Sequence, residues 1–114
     1  MFGVKEIDAT QLKEMMDSEE EVQLLDVRSQ AEFTQGMIEG GEFVPLHTVP
    51  LKVNDLAKDK KIVIYCRSGA RSAQACMFLS QNHNIEAINL RGGIISWYQS
   101  GYEVTRPGAM QAQG

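Results

Sequence analysis

Between Lys61 and Ser72 the chain reads Lys-Ile-Val-Ile-Tyr-Cys-Arg-Ser-Gly-Ala-Arg-Ser, and no other stretch is as well supplied for chemistry. An apolar run, Ile62 to Tyr65, stops at Cys66. Two arginines (Arg67 and Arg71), a glycine (Gly69) and two serines (Ser68 and Ser72) follow within six residues, with Ala70 between them. A segment with helical spacing then begins, carrying Ala73, Cys76, Met77 and Leu79 on one side. Strand, tight polar loop and helix is the order found in phosphate-cradling loops, where backbone N–H groups of the loop and the helix N-terminus converge on an anion. A thiol at the first position of such a cradle is expected as thiolate, below the free-cysteine value of about 8.5. That makes Cys66 a candidate nucleophile.

The rest of the chain must mount this loop. With 114 residues, 43% hydrophobic and 23% charged, it is expected to be one domain with a single sizeable core. Eleven basic against fifteen acidic residues give a net charge of −4, which argues against a nucleic-acid-binding surface. Between Cys66 and Ser72, by contrast, there are two arginines and no carboxylate. An acidic protein with one cationic pocket points to a small anionic substrate. The two cysteines, Cys66 and Cys76, cannot build a multi-bridge framework, and the two histidines, His47 and His83, stand far from either in sequence, so no metal or other cofactor is expected. The N-terminus lacks a basic region followed by an apolar run, and no apolar run approaches the roughly 20 residues that span a bilayer. These readings predict a cytoplasmic, reducing setting with no membrane partner.

In order, the pattern predicts a strand at Val4–Ile7, then a helix over Thr10–Asp17 capped by Asp8 or Thr10. A buried strand over Gln23–Val27 comes next. Ser29 and Glu32 fit a capping box that opens a short helix ended by Gly36. A brief strand is expected at Phe43–Val44, and a short helix or helical turn over Thr48–Leu56, with Pro50 tolerated in its first turn. After the central strand and loop come a helix over Ser72–Gln81, a strand over Ala87–Leu90 and a helix over Ile94–Gln99. Residues 1–106 are read as the domain, and 107–114 as a flexible C-terminal tail. Strands alternating with helices favour a parallel sheet covered on both faces, with sites beyond the carboxyl ends of the strands. Cys66, Asp26–Arg28 and Leu90–Gly93 all fall at such ends.

These residues resemble a known family. The chain is similar to a single-domain rhodanese, a thiosulfate sulfurtransferase-type domain, from Ile7 to about Val104. The resemblance rests on Cys66 to Ser72 after Ile-Val-Ile-Tyr, on Leu25-Asp-Val-Arg28 with Glu32-Phe33, on Gly36 to Pro45, and on Asn89-Leu-Arg-Gly-Gly-Ile94 followed by Trp97. It implies a three-layer α/β/α fold around a five-stranded, mainly parallel sheet. It also implies that Cys66 accepts a sulfane sulfur from thiosulfate or a persulfide and passes it to a thiophilic acceptor, cyanide in the assay and a thiol or sulfur-carrier protein in the cell. Arg67 to Ser72 would then bind the substrate, their N–H groups turned towards the persulfide sulfur, with Arg67 and Arg71 orienting the anion. Gly69 lets the backbone curl there without a Cβ. Asp26, Arg28, Glu32, Gly92 and Gly93 are read as supporting residues. A monomer or weak dimer is expected.

Phosphatases and arsenate reductases of the same fold use a loop one residue longer, and the shorter ring here suits a sulfur atom better than a tetrahedral phosphate. A second alternative is a binding or regulatory module without turnover, against which the intact cysteine counts. One position departs from the family pattern: Met37 stands where many relatives carry histidine, and altered packing or substrate access is expected there. Cys76 reads as core. Asp26 and Arg28 are expected to pair with each other or with loop backbone, Glu32 to act as the capping partner of Ser29, and Phe33 and Trp97 to line core or pocket. His47 and His83 are given no role.

Overall fold

A computed structural model describes residues 4–107 of the chain; of the expected tail, all but Pro107 lies outside the described residues, as do residues 1–3. Five short strands are present: β1 (Lys5–Ile7), β2 (Val22–Asp26), β3 (Glu42–Phe43), β4 (Lys61–Tyr65) and β5 (Ile88–Leu90). They form one sheet in the order β1-β5-β4-β2-β3, and every pairing is parallel. Parallel neighbours cannot be joined by hairpins, so the connections carry helices. These are α1 (Ala9–Asp17), α2 (Gln30–Gln35), α3 (Val49–Lys52), α4 (Ala70–His83) and α5 (Gly93–Gln99).

The pleat divides the core in two. On one face Leu25, Val27, Ile62, Ile64 and Cys66 pack with Val49 of α3 and with Ala75, Cys76 and Leu79 of α4. On the other, Leu24, Val63, Tyr65, Ile88 and Leu90 pack with Leu12 of α1 and with Ile94 and Trp97 of α5. Successive residues of β4 therefore serve opposite layers, which is why this strand reads as an unbroken apolar run. The three-layer α/β/α arrangement expected from the sequence is the one observed, and the sheet is parallel throughout.

Element ends move where a cap decides them. α1 starts at Ala9 because Asp8 is its N-cap: Asp8 accepts from the Gln11 N–H at 2.8 Å, and the Gln11 side chain accepts in return from the Asp8 N–H. α4 begins at Ala70, earlier than the expected Ser72, since Gly69 already closes the loop; it runs past Gln81 to His83 and ends on Asn84, whose φ of 55° is left-handed. β2 starts one residue earlier than expected and ends at Asp26, and β3 lies at Glu42–Phe43, although the Val44 N–H still bonds the Asp26 carbonyl. The Thr48–Leu56 segment is broken into one turn of α-helix between two 3-10 turns, none of which has a side-chain cap.

After α5 the chain returns along the sheet's carboxyl end. Met37 and Thr105 exchange backbone hydrogen bonds of 2.6 and 2.8 Å, and the Trp97 indole donates to the Glu103 carbonyl at 2.9 Å. Met37 thus sits in the joint between the α2–β3 connection and the end of the domain. Tyr65 anchors the same connection from within. It is wholly buried, and its hydroxyl accepts from the Ile38 N–H at 3.0 Å. Burial first, then the neighbouring Asp26 carboxylate, raises its pKa, so the phenol stays protonated. Tyr65→Phe leaves a buried N–H without a partner and is expected to cost about 1–3 kcal/mol, read by urea denaturation.

Candidate active site

Cys66 follows directly on β4, so the central strand delivers its sulfur to the carboxyl end of the sheet. The residue is 1% exposed: the thiol lies on the floor of the loop. There it receives the Gly69 N–H at 3.1 Å and the Ser72 hydroxyl at 3.3 Å, and the N–H groups of Ser72 and Ser68 also turn towards it. Burial pushes the thiol pKa up, but the Ser72 hydroxyl and these N–H groups outweigh it, and the net shift is downward. Hydrogen bonds lead in that lowering. Cys76, one layer away on α4, shows the opposite case: with no such donors, burial pushes its thiol up to about 12, and it remains core.

For loop N–H groups to point inward, the carbonyls must point out and find partners. α5 supplies them: the Ile94 N–H donates to the Cys66 carbonyl at 2.9 Å and the Ile95 N–H to the Arg67 carbonyl at 3.2 Å. Two glycines make this geometry available. Gly69 sits at φ 111°, where a side chain would be strained. At Gly93, φ 61°, a Cβ would lie 2.3 Å from the Arg67 carbonyl oxygen, so the helix can approach the loop only as glycine.

A second set of contacts, not foreseen from the sequence, holds Ser72. Asn89 of β5 is 1% exposed; its amide donates to Glu6 Oε2 at 2.9 Å and to the Gly69 carbonyl at 3.3 Å, which turns its oxygen towards the Ser72 hydroxyl. That hydroxyl has one proton and three acceptors within reach: Cys66 Sγ, the Gly69 carbonyl and Asn89. Asn89 lies inside a motif the sequence singled out. The pairing of β5 with β4, which aligns Asn89 with Ile64, is what brings it to the loop.

The charged residues divide into paired and unpaired. Arg28 grips both oxygens of Asp26, at 2.6 and 2.9 Å, and donates to the Gly36 carbonyl at 2.6 Å; both side chains are buried. Of the two expected pairings the mutual one is present, and the backbone partner of Arg28 is Gly36 at the end of α2, not the Cys66–Ser72 loop. Glu32 closes the capping box on Ser29 as expected, and it also takes the Arg71 fork at 2.8 and 2.9 Å. Arg71 is therefore held by a carboxylate at the loop's rim. Arg67, exposed at the other side of the loop, has no ion-pair partner among the described residues. The structure brings together Cys66, the loop through Ser72, Arg28, Glu32, Gly92 and Gly93; Asp26 lies beneath, as the anchor of Arg28.

Two measurements follow. Ser72→Ala removes the first of the groups that lower the Cys66 pKa, so alkylation by iodoacetamide at neutral pH is expected to slow several-fold and its pH midpoint to rise. Glu32, drawn down from 4.5 to about 2 chiefly by Arg71 against the effect of burial, contributes stability that is complete above pH 4.5 and lost as pH falls towards 2. Urea midpoints of Glu32→Gln measured across that window are expected to fall less steeply than those of the natural chain.

The family model described as Rhodanese-like domain matches residues 8–100. A protein named sulfurtransferase from Allochromatium vinosum is 44% identical over 104 residues, covering 91% of this chain and 97% of its own length. A putative sulfurtransferase of Bacillus subtilis is 37% identical, covering 82% and 90% respectively. Among solved structures, a rhodanese-related protein from Thermoplasma volcanium superposes with a TM-score of 0.79 at 35% identity, over 89% of this chain and 97% of that one. With four of its five strands and the whole Cys66–Ser72 loop inside the family match, the chain belongs to the rhodanese-like domain family.

Proposed function

We propose that the protein is a sulfurtransferase that carries sulfane sulfur as a persulfide on Cys66. The observation that carries this reading is the convergence of the Gly69, Ser68 and Ser72 donors on a buried sulfur whose pKa they lower against the effect of burial. Both relatives described above bear the name sulfurtransferase, which supports the class of reaction.

The chemistry balances simply. The Cys66 thiolate attacks the outer sulfur of thiosulfate; the new S–S bond forms as the donor's S–S bond breaks, and sulfite leaves with the electron pair. What remains is a persulfide anion, to which the same ring of N–H groups is available as donors. An acceptor then takes the outer sulfur and returns Cys66 as thiolate. Cyanide does so as thiocyanate; in the cell the acceptor is a thiol or a sulfur-carrier protein. No proton has to be moved in either half, so the loop needs no general acid or base. Arg67, unpaired at the rim, draws in the anionic donor. Arg71 contributes charge from a fixed position, since Glu32 occupies its fork. The reading carries with it a reducing, cytoplasmic setting.

The test is direct. Incubation with thiosulfate is expected to add one sulfur to Cys66 by mass spectrometry, and cyanide to remove it as thiocyanate; Cys66→Ser abolishes both. A natural chain that acquires no sulfur from thiosulfate or from a persulfide donor would sink the reading. Arg67→Ala is expected to raise the thiosulfate KM about fivefold to tenfold, as for loss of one charge-assisted contact.

A further inference from the structure

The Ser72 hydroxyl has one proton to give and three acceptors around it: Asn89 Oδ1 at 2.5 Å, the Gly69 carbonyl at 3.2 Å and Cys66 Sγ at 3.3 Å. The three do not need it equally. The Gly69 carbonyl already receives the Ala73 N–H at 3.1 Å and the Asn89 amide at 3.3 Å. The Asn89 oxygen has no donor besides Ser72 among the described residues. The contest is therefore between Asn89 and Cys66. Water cannot stand in for the loser, because Cys66, Ser72 and Asn89 are each at most 1% exposed. Nor can Asn89 turn away: Glu6 Oε2, at 2.9 Å, and the Gly69 carbonyl hold its amide nitrogen, which keeps its oxygen on Ser72.

Which acceptor wins changes with the state of Cys66. A thiolate carries a full charge and draws the Ser72 proton, which leaves the Asn89 oxygen buried without a donor and so opposes ionisation. Once Cys66 bears a sulfane sulfur, its Sγ is divalent and uncharged, a weak acceptor like a thioether, and the hydroxyl turns back to Asn89. The proton stays on Ser72 Oγ throughout; only its direction changes. We propose that Asn89 is a positioning residue that competes with Cys66 for the Ser72 hydroxyl and so favours the sulfur-loaded loop over the empty one. For the loaded state this rests on the sulfur-transfer reading, to which it adds a residue outside the loop. The charges around the pair are Glu6 of β1 with Arg91 at 4.0 Å, Arg67, Arg71 held by Glu32, and the Asp26–Arg28 pair at the end of β2. From α4 the Cys76 thiol stays protonated, and α5 carries no charged residue. Replacing Asn89 by an apolar residue leaves every one of these charges in place.

Asn89→Leu removes the oxygen at similar volume. The pH midpoint of Cys66 alkylation by iodoacetamide is expected to fall by about one unit, a tenfold gain in thiolate at a given pH below it. A residue that merely supported the loop would act in the opposite sense, since a loosened loop loses its donors; a midpoint that rises or stays overturns the inference. In a Ser72→Ala background Asn89→Leu is expected to add nothing, and the same fall there also overturns it. Glu6→Gln removes the charge but keeps an acceptor for the Asn89 amide, so it is expected to hold the natural midpoint. A fall as large as that of Asn89→Leu would assign the effect to charge and overturn the competition. The loaded state is read by running the transfer backwards: sulfite attacks the outer sulfur of the Cys66 persulfide, thiosulfate forms, and Cys66 departs as thiolate with the electron pair. Above both midpoints, mass spectrometry is expected to find Asn89→Leu half stripped at about a tenfold lower ratio of sulfite to thiosulfate than the natural chain, and an unchanged ratio overturns the inference. Should the natural chain take up no sulfur at all, it is the sulfur-transfer reading that fails, while the alkylation midpoints still decide the role of Asn89.

Discussion

Seven residues, Cys66 to Ser72, turn round one buried sulfur with the N–H groups of Ser68, Gly69 and Ser72 inward, and the rest of the molecule is arranged to make that turn stable. A loop curled this tightly sends its carbonyls outward, where buried ones need donors. The first free N–H groups of α5 supply two of them, and α4 begins within the loop itself, at Ala70. The cost of burying the thiol and the benefit of the donors have opposite signs, and the donors prevail. Cys76, in the same chain and equally buried, has the burial without the donors, and its thiol is pushed up instead. The comparison of the two cysteines locates the lowered pKa in the loop's donors, the Ser72 hydroxyl first and the backbone N–H groups after it.

Two arginines flank this sulfur and do different work. Arg71 is locked by Glu32, whose Oε1 also accepts from the Ser29 N–H and hydroxyl, so one carboxylate both starts α2 and fixes a cation of the loop. The start of a short helix and the field at Cys66 are thereby tied together. Asp26 and Arg28 perform a similar double duty below: the pair closes the end of β2 and, through the Gly36 carbonyl, the end of α2. A buried ion pair is weak evidence for stability, but here the Arg28 Nη2 that meets Asp26 also donates to the backbone at the end of α2. Arg67 is exposed and has no ion-pair partner among the described residues.

The last described residues give the site its outer boundary. The Met37–Thr105 bridge and the Trp97–Glu103 hydrogen bond fold the chain's end back over α5, and Val104 is thereby set against Gly36. Without that return, α5 would present Ile94, Ile95 and Tyr98 as a flat face; with it, they become one wall of a groove leading to the loop. Met37, where the family pattern often has histidine, belongs to this joint by its backbone.

The order of strands and helices, the caps at Asp8 (with Thr10 the alternative) and Ser29, and the position of the Cys66–Ser72 loop were legible in the sequence because each is decided over a few residues: by the apolar run of β4, by side-chain caps three residues away, by glycine where φ is positive. Helix boundaries slipped where a cap or a turn of backbone outside the local pattern took over, as at Gly69 and Asn84, and strand ends shifted by a residue because the pairing register decides them. What the sequence left open was which groups meet. Glu32 and Arg71 are 39 residues apart, Ser72 and Asn89 are 17, Ile38 and Tyr65 are 27, and Glu6 and Asn89 are 83. No periodicity or cap reaches across such distances. Only the parallel register of the sheet could bring Asn89 beside the loop, and only the docking of α2 could decide that Arg71 is held by Glu32. The residue types set which chemistry the loop could do, because a thiol followed by a polar, glycine-containing turn is a local property; the tertiary structure chose the partners, because pairing depends on where the chain returns.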